Sequence, residues 1–530
     1  MMRRRITQSL IYGICVTLAF LLSFRAYAPH LTANLNSDNA VHILMAYDLK
    51  LPSDLYYWGQ DRLGSLLPIL SHGLLKISHL SAAEAVAVVQ YGLLLVGFLS
   101  LSSLFQSLFS KLIFAGLWFL PILDFNALIS VAQPYGPQFA LIGLAIVLVR
   151  QIKLQTGNFF LFKNQLLLFG AGLCLVVSLW VSDLSIILIV LFLGIAMLFA
   201  LQHIVQAAWE PQIETNSLIA TLKIPVKQIP FLLATGCNLI IVTGLGLAFI
   251  AYAKHQSTSL TNYSSFSSLS EIQITISKLW EALFQTLTFR AYSPFLSLSA
   301  GLTVILLGYL GYLLYQQVRE QKLPRSYWFY LFAISAISGM LLLTISRWVY
   351  RNDVSLRYFV FVYLCGWIAV LLFSESLAQR TQRIVKILVS LILVCSLLSS
   401  AQPVFALTPP VSKLEQLRAF KSLGKAGLIG EYWSSYILCA ADPKHLSCTP
   451  KDPKGQIPCQ PKPKPQRPIR GVRCPRCARK VLKSEQIYLV QNDWFESFPA
   501  EIQQFGICLV KTGEPQQLAG YNLAAYRQKP

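Results

Sequence analysis

Long uninterrupted runs of apolar residues recur along this 530-residue chain and limit what it can fold into. Only 13% of the residues are charged, whereas soluble globular proteins carry about 25%. A helix needs roughly 20 apolar residues to cross a bilayer, and many of the runs come close to this length. The sequence therefore predicts a predominantly α, polytopic helical membrane protein with about eleven transmembrane helices. The candidates lie at residues 6–26, 85–108, 112–130, 137–150, 165–182, 184–203, 229–252, 297–316, 327–346, 357–375 and 385–402. Because the fourth is short and the fifth and sixth are separated by three residues only, the count ranges from ten to twelve.

The basic residues are distributed unevenly between the predicted loops. Lys and Arg number 44 against 23 Asp and Glu, and Arg3, Arg4 and Arg5 precede the first apolar run. Because cytoplasmic loops are enriched in basic residues, we place the N-terminus in the cytoplasm. Alternation then puts 15 basic residues in the cytoplasmic loops and the tail from residue 403 on the outer side. The positive charge thus indicates topology in an inner or plasma membrane, and it does not indicate a nucleic-acid partner.

Two predicted outer loops, 27–84 and 253–296, are longer than connectors between helices need to be. The first contains two amphipathic stretches, at 38–49 and 61–79. In the second, apolar residues recur at a spacing of three and four, which predicts a helix that lies in the membrane interface with one apolar face. We assign both loops to a transmembrane domain that covers residues 1–402.

The densest group of polar residues lies in the first outer loop. Asp38 begins an amphipathic stretch, His42 follows one turn later, and Asp61 and Arg62 precede the second stretch. An acid at the start of a helix is often explained by the helix dipole alone. At the mouth of a membrane cavity, the same carboxylate can accept a proton from an attacking hydroxyl. We predict that Asp38 is catalytic and that His42, Asp61 and Arg62 bind substrate.

Arginines on the predicted outer side run against the usual placement of positive charge. Arg347, Arg351 and Arg357 lie in one short outer segment, and Tyr358 follows them. Because Arg pairs with phosphate oxygens through two parallel hydrogen bonds, an anionic lipid-linked group is a natural ligand. Anchoring to lipid headgroups is the alternative. We predict that these four residues bind substrate, together with Asp124 near the outer end of the third span, since acids at membrane depth usually face a cavity or a partner.

Two further features are expected on the same outer side. The loop 133–138 contains two prolines and a glycine, which favour turns, and we predict that it caps the outer cavity. Asp183 lies at the turn between the fifth and sixth spans. Its carboxylate could extend to water at the membrane surface there, and this explains the residue as well as a functional role does.

Several features of the first 400 residues occur together. A basic N-terminus and a single span come first, and a long outer loop with an early acid, Asp38, follows. An aromatic-Gly-Gln stretch then precedes a Gly-Ser-Leu helix, and an Arg-Tyr pair lies late on the outer side. The residues are Tyr57-Trp58-Gly59-Gln60, Gly64-Ser65-Leu66 and Arg357-Tyr358. This plan resembles the GT-C superfamily of integral-membrane glycosyltransferases, in particular bacterial family-39-like enzymes that depend on polyprenyl-phosphate sugars.

The resemblance implies an inverting transfer of a sugar from a polyprenyl-phosphate donor to an extracytoplasmic acceptor, which is a cell-envelope lipid, glycan or protein. It also implies that Asp38 is the base and that Arg347, Arg351 or Arg357 holds the donor phosphate. The sequence has a single acid after the first span where the commonest family pattern has an adjacent pair, so no cofactor is assigned and a divalent metal stays open. The alternatives are a transporter or flippase of lipid-linked sugars and a non-catalytic membrane scaffold.

The hydrophilic tail, 403–530, contains six cysteines. In an oxidising compartment an even number of cysteines favours disulfides, although the close pair in Cys474-Pro475-Arg476-Cys477 is also compatible with zinc. The disulfide candidates are Cys439, Cys448, Cys459, Cys474, Cys477 and Cys508. We therefore favour structural disulfides over a zinc site.

The tail also shows alternating strand-like and helix-like patterns. Strands are predicted at 487–490, 507–510 and 521–526 and helices at 432–440 and 495–505. Glu431-Tyr432-Trp433 precedes the first of these helices, and we assign its aromatic residues to core packing in preference to stacking on a sugar. The sequence thus predicts a small C-terminal α/β extracytoplasmic domain with a Pro-rich basic insertion at 458–475.

Overall fold

The computed structural model describes residues 2–152, 162–194, 229–257, 265–290, 293–322, 326–400, 404–406, 410–460 and 471–529, with the single residues 324 and 469. Helices dominate the part that precedes residue 400. They are α1 (Met2–Tyr27), α2 (Ser37–Tyr47), α3 (Leu66–Ile77), α4 (Ala82–Ser102), α5 (Leu108–Phe119), α6 (Tyr135–Arg150), α7 (Phe162–Val181), α8 (Ser185–Gly194), α9 (Ile229–Gln256), α10 (Leu269–Leu287), α11 (Pro294–Arg319), α12 (Tyr327–Thr344), α13 (Arg347–Arg351), α14 (Val360–Ser376) and α15 (Gln379–Ser399).

Each of the eleven predicted spans overlaps one of these helices, and residues 195–203 of the sixth predicted span lie outside the described residues. Eight described helices are long and apolar enough to cross a membrane, namely α1, α4, α7, α9, α11, α12, α14 and α15, and α5, α6 and α8 are shorter apolar helices. The predicted span 112–130 is wrong in its length. Because Pro121 cannot continue a helix, α5 ends at Phe119 and a 3-10 turn follows at Leu123–Leu128. The chain is a predominantly helical integral membrane protein, as predicted.

The first outer loop folds into α2 and α3, which pack against each other and against α4. α2 begins after Asn36, whose side chain accepts a hydrogen bond from the Asn39 backbone N–H at 3.0 Å. Backbone pairing of Tyr56 with Gly64 closes a loop between the two helices. The predicted stretch 61–79 therefore becomes helical only from Leu66.

α10 is the amphipathic helix predicted in the second long loop. It begins with a capping box, in which Ser268 and Glu271 bond to each other's backbone N–H groups. The apolar side chains of Ile276, Trp280 and Phe284 are exposed on its surface. Residues 265–267 pair through backbone hydrogen bonds with residues 345–347. The start of α10 is thus joined to the segment that carries the outer arginines.

The tail forms a mixed sheet with helices beside it, which confirms the predicted α/β class. Its helices are α16 (Lys413–Gln416), α17 (Tyr432–Ala441) and α18 (Pro475–Leu482). The strand order is β2-β1-β3-β7-β5-β4, with β6 beside β7; β1 is parallel to β2 and β3, and the other pairs are antiparallel. The strands are β1 (Ala426–Gly430), β2 (Leu446–Pro450), β3 (Ile487–Val490), β4 (Glu501–Gln504), β5 (Ile507–Lys511), β6 (Gln516–Leu518) and β7 (Tyr521–Gln528).

One predicted helix of the tail is wrong. Residues 495–505 contain β4, which forms a hairpin with β5. The turn consists of Phe505 and Gly506, with φ of 53° and 73°, and this left-handed pair matches the twist of a two-residue hairpin. Residues 461–468 and 470 of the predicted insertion, and the predicted domain boundary at 402, lie outside the described residues.

The tail packs directly on the first outer loop through a shared hydrophobic core. Val41 and Ile43 of α2 are completely buried in the same cluster as Tyr436 and Leu438 of α17. The helical bundle has a separate core of its own. This packing brings residues that are almost 400 positions apart in the sequence to one place at the end of the bundle.

Candidate active site

A cavity of about 440 Å³ lies where this end of the bundle meets the first outer loop and the tail. Its wall is built from the starts and ends of several helices and from the loops that join them, including residues 133–135 of the predicted capping loop. Asp38 and Arg357, the predicted base and one predicted phosphate ligand, both line it. The other charged residues of the wall are Asp61, Arg62, Asp183, Lys254 and Arg473.

Asp38 is the second residue of α2, and its side chain is only 17% exposed. The Tyr432 hydroxyl of the tail donates a hydrogen bond to Oδ1 of Asp38. The Tyr57 hydroxyl lies 3.3 Å from the same oxygen and 3.2 Å from the Tyr432 hydroxyl. Nη1 of Arg473 is 4.0 Å from this oxygen. One oxygen of the carboxylate is therefore surrounded by two phenols and a cation.

Burial raises the pKa of both phenols well above their usual range, and the nearby Asp38 carboxylate adds to the shift. For Tyr57 the neighbouring Tyr432 raises the pKa as well. Arg473 lowers both pKa values, but by less than burial raises them. Tyr57 and Tyr432 thus keep their protons, and so remain donors, throughout the neutral pH range.

Arg473 reaches the site because Gly59 leaves room for it. The Arg473 guanidinium stacks on the Tyr432 ring, 4.0 Å from its centroid. Gly59 has φ of 77°, and a Cβ atom there would lie 2.6 Å from Cγ of Arg473. A larger residue at position 59 would be strained and would collide with the arginine.

The segment that carries Arg473 is attached to the first outer loop through Arg476, three residues further along the chain. Nη1 and Nη2 of Arg476 donate to the two carboxylate oxygens of the buried Asp54, at 2.8 and 2.6 Å. Nε1 of Trp58 also donates to this carboxylate, at 3.1 Å. The Cys474–Cys477 disulfide closes the turn that contains Arg476 and directly follows Arg473. An ion pair and a disulfide therefore lie together at the point where the tail meets the cavity.

All six predicted disulfide candidates are paired in the structure. Besides Cys474–Cys477, the tail contains the disulfides Cys439–Cys448 and Cys459–Cys508. Among the described residues, one cluster of three has metal-ligating atoms close together, and it consists of Cys459, Glu501 and Cys508. Because two of these three sulfur and oxygen donors are joined in a disulfide, this cluster offers no thiolate for zinc.

Arg357 is held in the cavity wall by a strained turn. Asp353 and Val354, just before it, have φ of 58° and 51°, which is an outlying conformation for a β-branched residue such as valine. Nη2 of Arg357 donates to the Tyr358 hydroxyl at 2.9 Å, and the guanidinium lies 5.0 Å from the centre of that ring. The Arg62 guanidinium lies 4.3 Å from the centre of the Trp348 ring, which itself packs against the Tyr358 ring with 6.3 Å between the ring centres.

The other two predicted arginines do not line the cavity. Nε of Arg347 forms an ion pair with Glu271 of α10 at 3.5 Å. Arg351 is exposed on the surface. Arg347 and Arg351 therefore lie beside the cavity lining and not in it, and their binding of substrate stays a prediction.

His42 and Asp124 also lie away from the cavity wall. His42 is 3% exposed, and its ring packs against Tyr57 with 5.0 Å between the ring centres. Burial lowers the pKa of His42 to about 3. Asp124 lies in the 3-10 turn Leu123–Leu128, which packs against the turn that carries Arg357. Substrate contact by His42 and Asp124 stays a prediction, whereas Asp61, Arg62, Arg357 and Tyr358 all line the cavity.

Several residues around the cavity were not selected from the sequence. Asp183 and Lys254 form an ion pair at 3.9 Å in the wall. Trp433 and Arg473 line the cavity from the tail, next to Tyr432. In the sequence, Asp183 is noticeable as a single acid near the membrane interface, which is a weak indication of function. No sequence pattern indicates Arg473, because its position in the cavity depends on how the tail packs.

No family model and no curated protein sequence matches the chain. Solved structures do match it. ArnT from Cupriavidus metallidurans bound to undecaprenyl phosphate has a TM-score of 0.50 and 11% sequence identity, over 97% of this chain and 97% of that one. The oligosaccharyltransferase of Archaeoglobus fulgidus has a TM-score of 0.44 and 12% identity, over 90% of this chain and 68% of that one. The first of these likenesses shows the fold alone: the chain shares the fold of ArnT, in agreement with the fold that the resemblance to the GT-C superfamily implies.

Proposed function

We propose that this protein transfers a sugar from a polyprenyl-phosphate donor to a hydroxyl group of a cell-envelope acceptor on the outer side of the membrane. The observation that carries the proposal is the shared cavity of Asp38 and Arg357. A carboxylate and an arginine in one cavity provide a base for the acceptor and a counter-charge for the leaving phosphate.

The cavity wall offers two arginines to the donor phosphate. Arg62 and Arg357 each lie over an aromatic ring, with the guanidinium carbon 4.3 and 5.0 Å from the ring centre. A planar guanidinium can give two parallel hydrogen bonds to phosphate oxygens, and it stabilises the charge that develops on them as the sugar leaves. The binding of undecaprenyl phosphate by a protein of the same fold supports a donor of this class.

The chemical step follows from this arrangement. The acceptor oxygen attacks the anomeric carbon of the sugar, and the bond from that carbon to the phosphate oxygen breaks. The proton of the acceptor hydroxyl passes to Asp38, and the polyprenyl phosphate leaves with the bonding electron pair and is held by Arg357. Attack on the face opposite the phosphate inverts the configuration at the anomeric carbon.

A polyprenyl chain needs access to the cavity from the bilayer, and one wall suits this purpose. Phe266, Leu342 and Leu343 line the cavity where α10 begins and α12 ends. Phe266 is 67% exposed, and the apolar side chains of α10 beside it are exposed as well. Such an amphipathic helix lies in the membrane interface, so the lipid tail would leave the cavity beside it.

The proposed topology puts this cavity outside the cytoplasm. The basic N-terminus lies in the cytoplasm, as the loop charges favour. The ends of α7, α9 and α12 and the start of α6 that line the cavity then all lie on the opposite side. The tail, with its three disulfides, is extracytoplasmic in this arrangement, where disulfides form and persist.

The test of this proposal is transfer in vitro. Purified protein in lipid vesicles receives a set of polyprenyl-phosphate sugars, radiolabelled in the sugar, with membrane extract as the source of acceptors. We expect label to join an acceptor with the wild-type protein and not with Asp38→Asn. Equal transfer by both proteins contradicts the role of Asp38. Label that crosses the bilayer without joining an acceptor contradicts the transferase and supports a flippase.

A further inference from the structure

Tyr432 places a residue of the tail in direct contact with the proposed base. It is the first residue of α17, and its hydroxyl donates to Oδ1 of Asp38 although the two residues are 394 positions apart in the sequence. No hydrogen bond from a described residue reaches Oδ2 of the same carboxylate. The two oxygens of Asp38 therefore have different surroundings.

We propose that Tyr432 is a positioning residue that fixes the Asp38 carboxylate with Oδ1 occupied and Oδ2 directed to the acceptor hydroxyl. This inference rests on the proposed function. Tyr432 acts through Asp38 and does not touch the sugar. It follows that the first outer loop carries the base but does not hold it in place alone, and that the tail completes the site.

The physical reason lies in the freedom of a carboxylate. An aspartate without a partner rotates about its terminal bond, and a base that removes a proton needs one oxygen within hydrogen-bond reach of that proton. A donor to Oδ1 fixes the plane of the group, because a hydrogen bond to a charged acceptor is stronger than one between neutral groups. The raised pKa of the Tyr432 phenol keeps it protonated, so this donor is present at every neutral pH.

Tyr432 is itself held from three sides. Its backbone oxygen accepts a hydrogen bond from Oγ of Ser37, the first residue of α2, at 2.5 Å. The Arg473 guanidinium covers one part of its ring. The Trp433 and Tyr436 rings pack edge-on against it, with ring centres 5.0 and 5.8 Å away. The hydroxyl therefore points at Asp38 from a fixed ring.

The test compares two Tyr-to-Phe variants on one helix, in the full-length protein in vesicles. Tyr432→Phe removes the hydroxyl and keeps the ring on which Arg473 rests. Tyr436→Phe is the matched control, because the Tyr436 hydroxyl is completely buried and finds no partner in the described parts of the chain. For each protein, kcat and the KM for the donor are measured, with the melting temperature as the report on folding.

We expect Tyr432→Phe to lower kcat about tenfold, in line with the loss of a hydrogen bond to a charged group, with the KM for the donor unchanged. Tyr436→Phe should have the kcat of the wild type. If the wild type transfers sugar and Asp38→Asn does not, a Tyr432→Phe protein with the wild-type kcat contradicts the role of Tyr432 and leaves the proposed function intact. A higher KM for the donor with an unchanged kcat also contradicts the inference, because this result indicates that Tyr432 helps to bind the donor. Absence of transfer by the wild type overturns the proposed function and the inference together.

Discussion

Arg476 of the tail, which is partly exposed, forms an ion pair with the buried Asp54 of the first outer loop through two parallel hydrogen bonds, at 2.8 and 2.6 Å. Nη2 of Arg476 also donates to the backbone oxygen of Asp48 at 2.8 Å, just after α2. The pair thus joins α18 to the loop that follows the proposed base. Because Arg473 lies only three residues before Arg476, this contact sets where the tail enters the cavity.

Removing one partner of this pair should loosen the tail. We expect Arg476→Ala to lower the free energy of unfolding by about 3 kcal/mol or more, because Asp54 is left as a buried charge without its counter-ion. Melting in detergent and proteolysis of the tail measure this change. Arg479→Ala, an exposed arginine on the same helix, is the control and should melt like the wild type. Equal melting of both variants would show that the pair does not hold the tail.

The buried His42 should make the stability depend on pH. Burial lowers its pKa to about 3 in the folded protein, whereas an unfolded histidine titrates near about 6.5. Between these two pH values the unfolded state binds a proton that the folded state does not, so the free energy of unfolding falls as the pH falls. The slope from this group is up to about 1.4 kcal/mol per pH unit.

Melting temperatures between pH 7.5 and pH 5 measure this effect. We expect His42→Phe to show a shallower fall towards acid than the wild type, by the contribution of one proton. His79→Phe, at an exposed histidine, should keep the wild-type slope. Identical slopes for the wild type and His42→Phe would mean that His42 takes up its proton normally in the folded protein.

Arg357 and Arg351 belong to one outer segment but differ in their relation to the cavity. Arg357 lines it, and Arg351 is exposed away from it. We expect Arg357→Ala to weaken binding of a polyprenyl phosphate by about tenfold or more, since a hydrogen bond to a charged group is lost, while Arg351→Ala binds it as the wild type does. Equilibrium binding of a fluorescent polyprenyl phosphate measures both. A similar loss in both variants would indicate general attraction to headgroups instead of a phosphate site.

The tail cysteines allow a direct test of the proposed topology. A membrane-impermeant maleimide applied to intact spheroplasts should label the tail only after a reductant has opened its three disulfides. The control is a variant with all six tail cysteines replaced, which should stay unlabelled. Labelling before reduction would indicate free thiols, and labelling only after the membrane is permeabilised would put the tail in the cytoplasm.

The helices and the outer polar residues were predictable from the sequence because hydropathy acts locally. A run of apolar residues indicates its helix wherever it lies in the chain, and loop charges then place Asp38 and Arg357 on one side. Local patterns also have limits. Pro121 shortens α5 in a way that composition alone does not reveal, and the Phe505-Gly506 turn converts a helix-like pattern into a hairpin.

The contacts of Asp38 were beyond local patterns. Tyr432 was assigned to core packing, since a short aromatic motif at the start of a helix usually has that role. Its hydroxyl reaches Asp38 only because α17 packs on α2 and because Gly59 leaves space for Arg473. These are long-range packing relationships, which a single sequence does not encode in any spacing.

The most direct test of the central claim is the rate of sugar transfer by Asp38→Asn beside Asp48→Asn. Both replace a carboxylate at α2, but Asp48 lies at the far end of the helix and pairs with Lys50 at 3.3 Å. We predict that Asp38→Asn loses about 10²- to 10⁴-fold in kcat, as expected for a general base, with unchanged abundance in the membrane, and that Asp48→Asn transfers sugar at the wild-type rate. Wild-type kcat in Asp38→Asn would contradict the account.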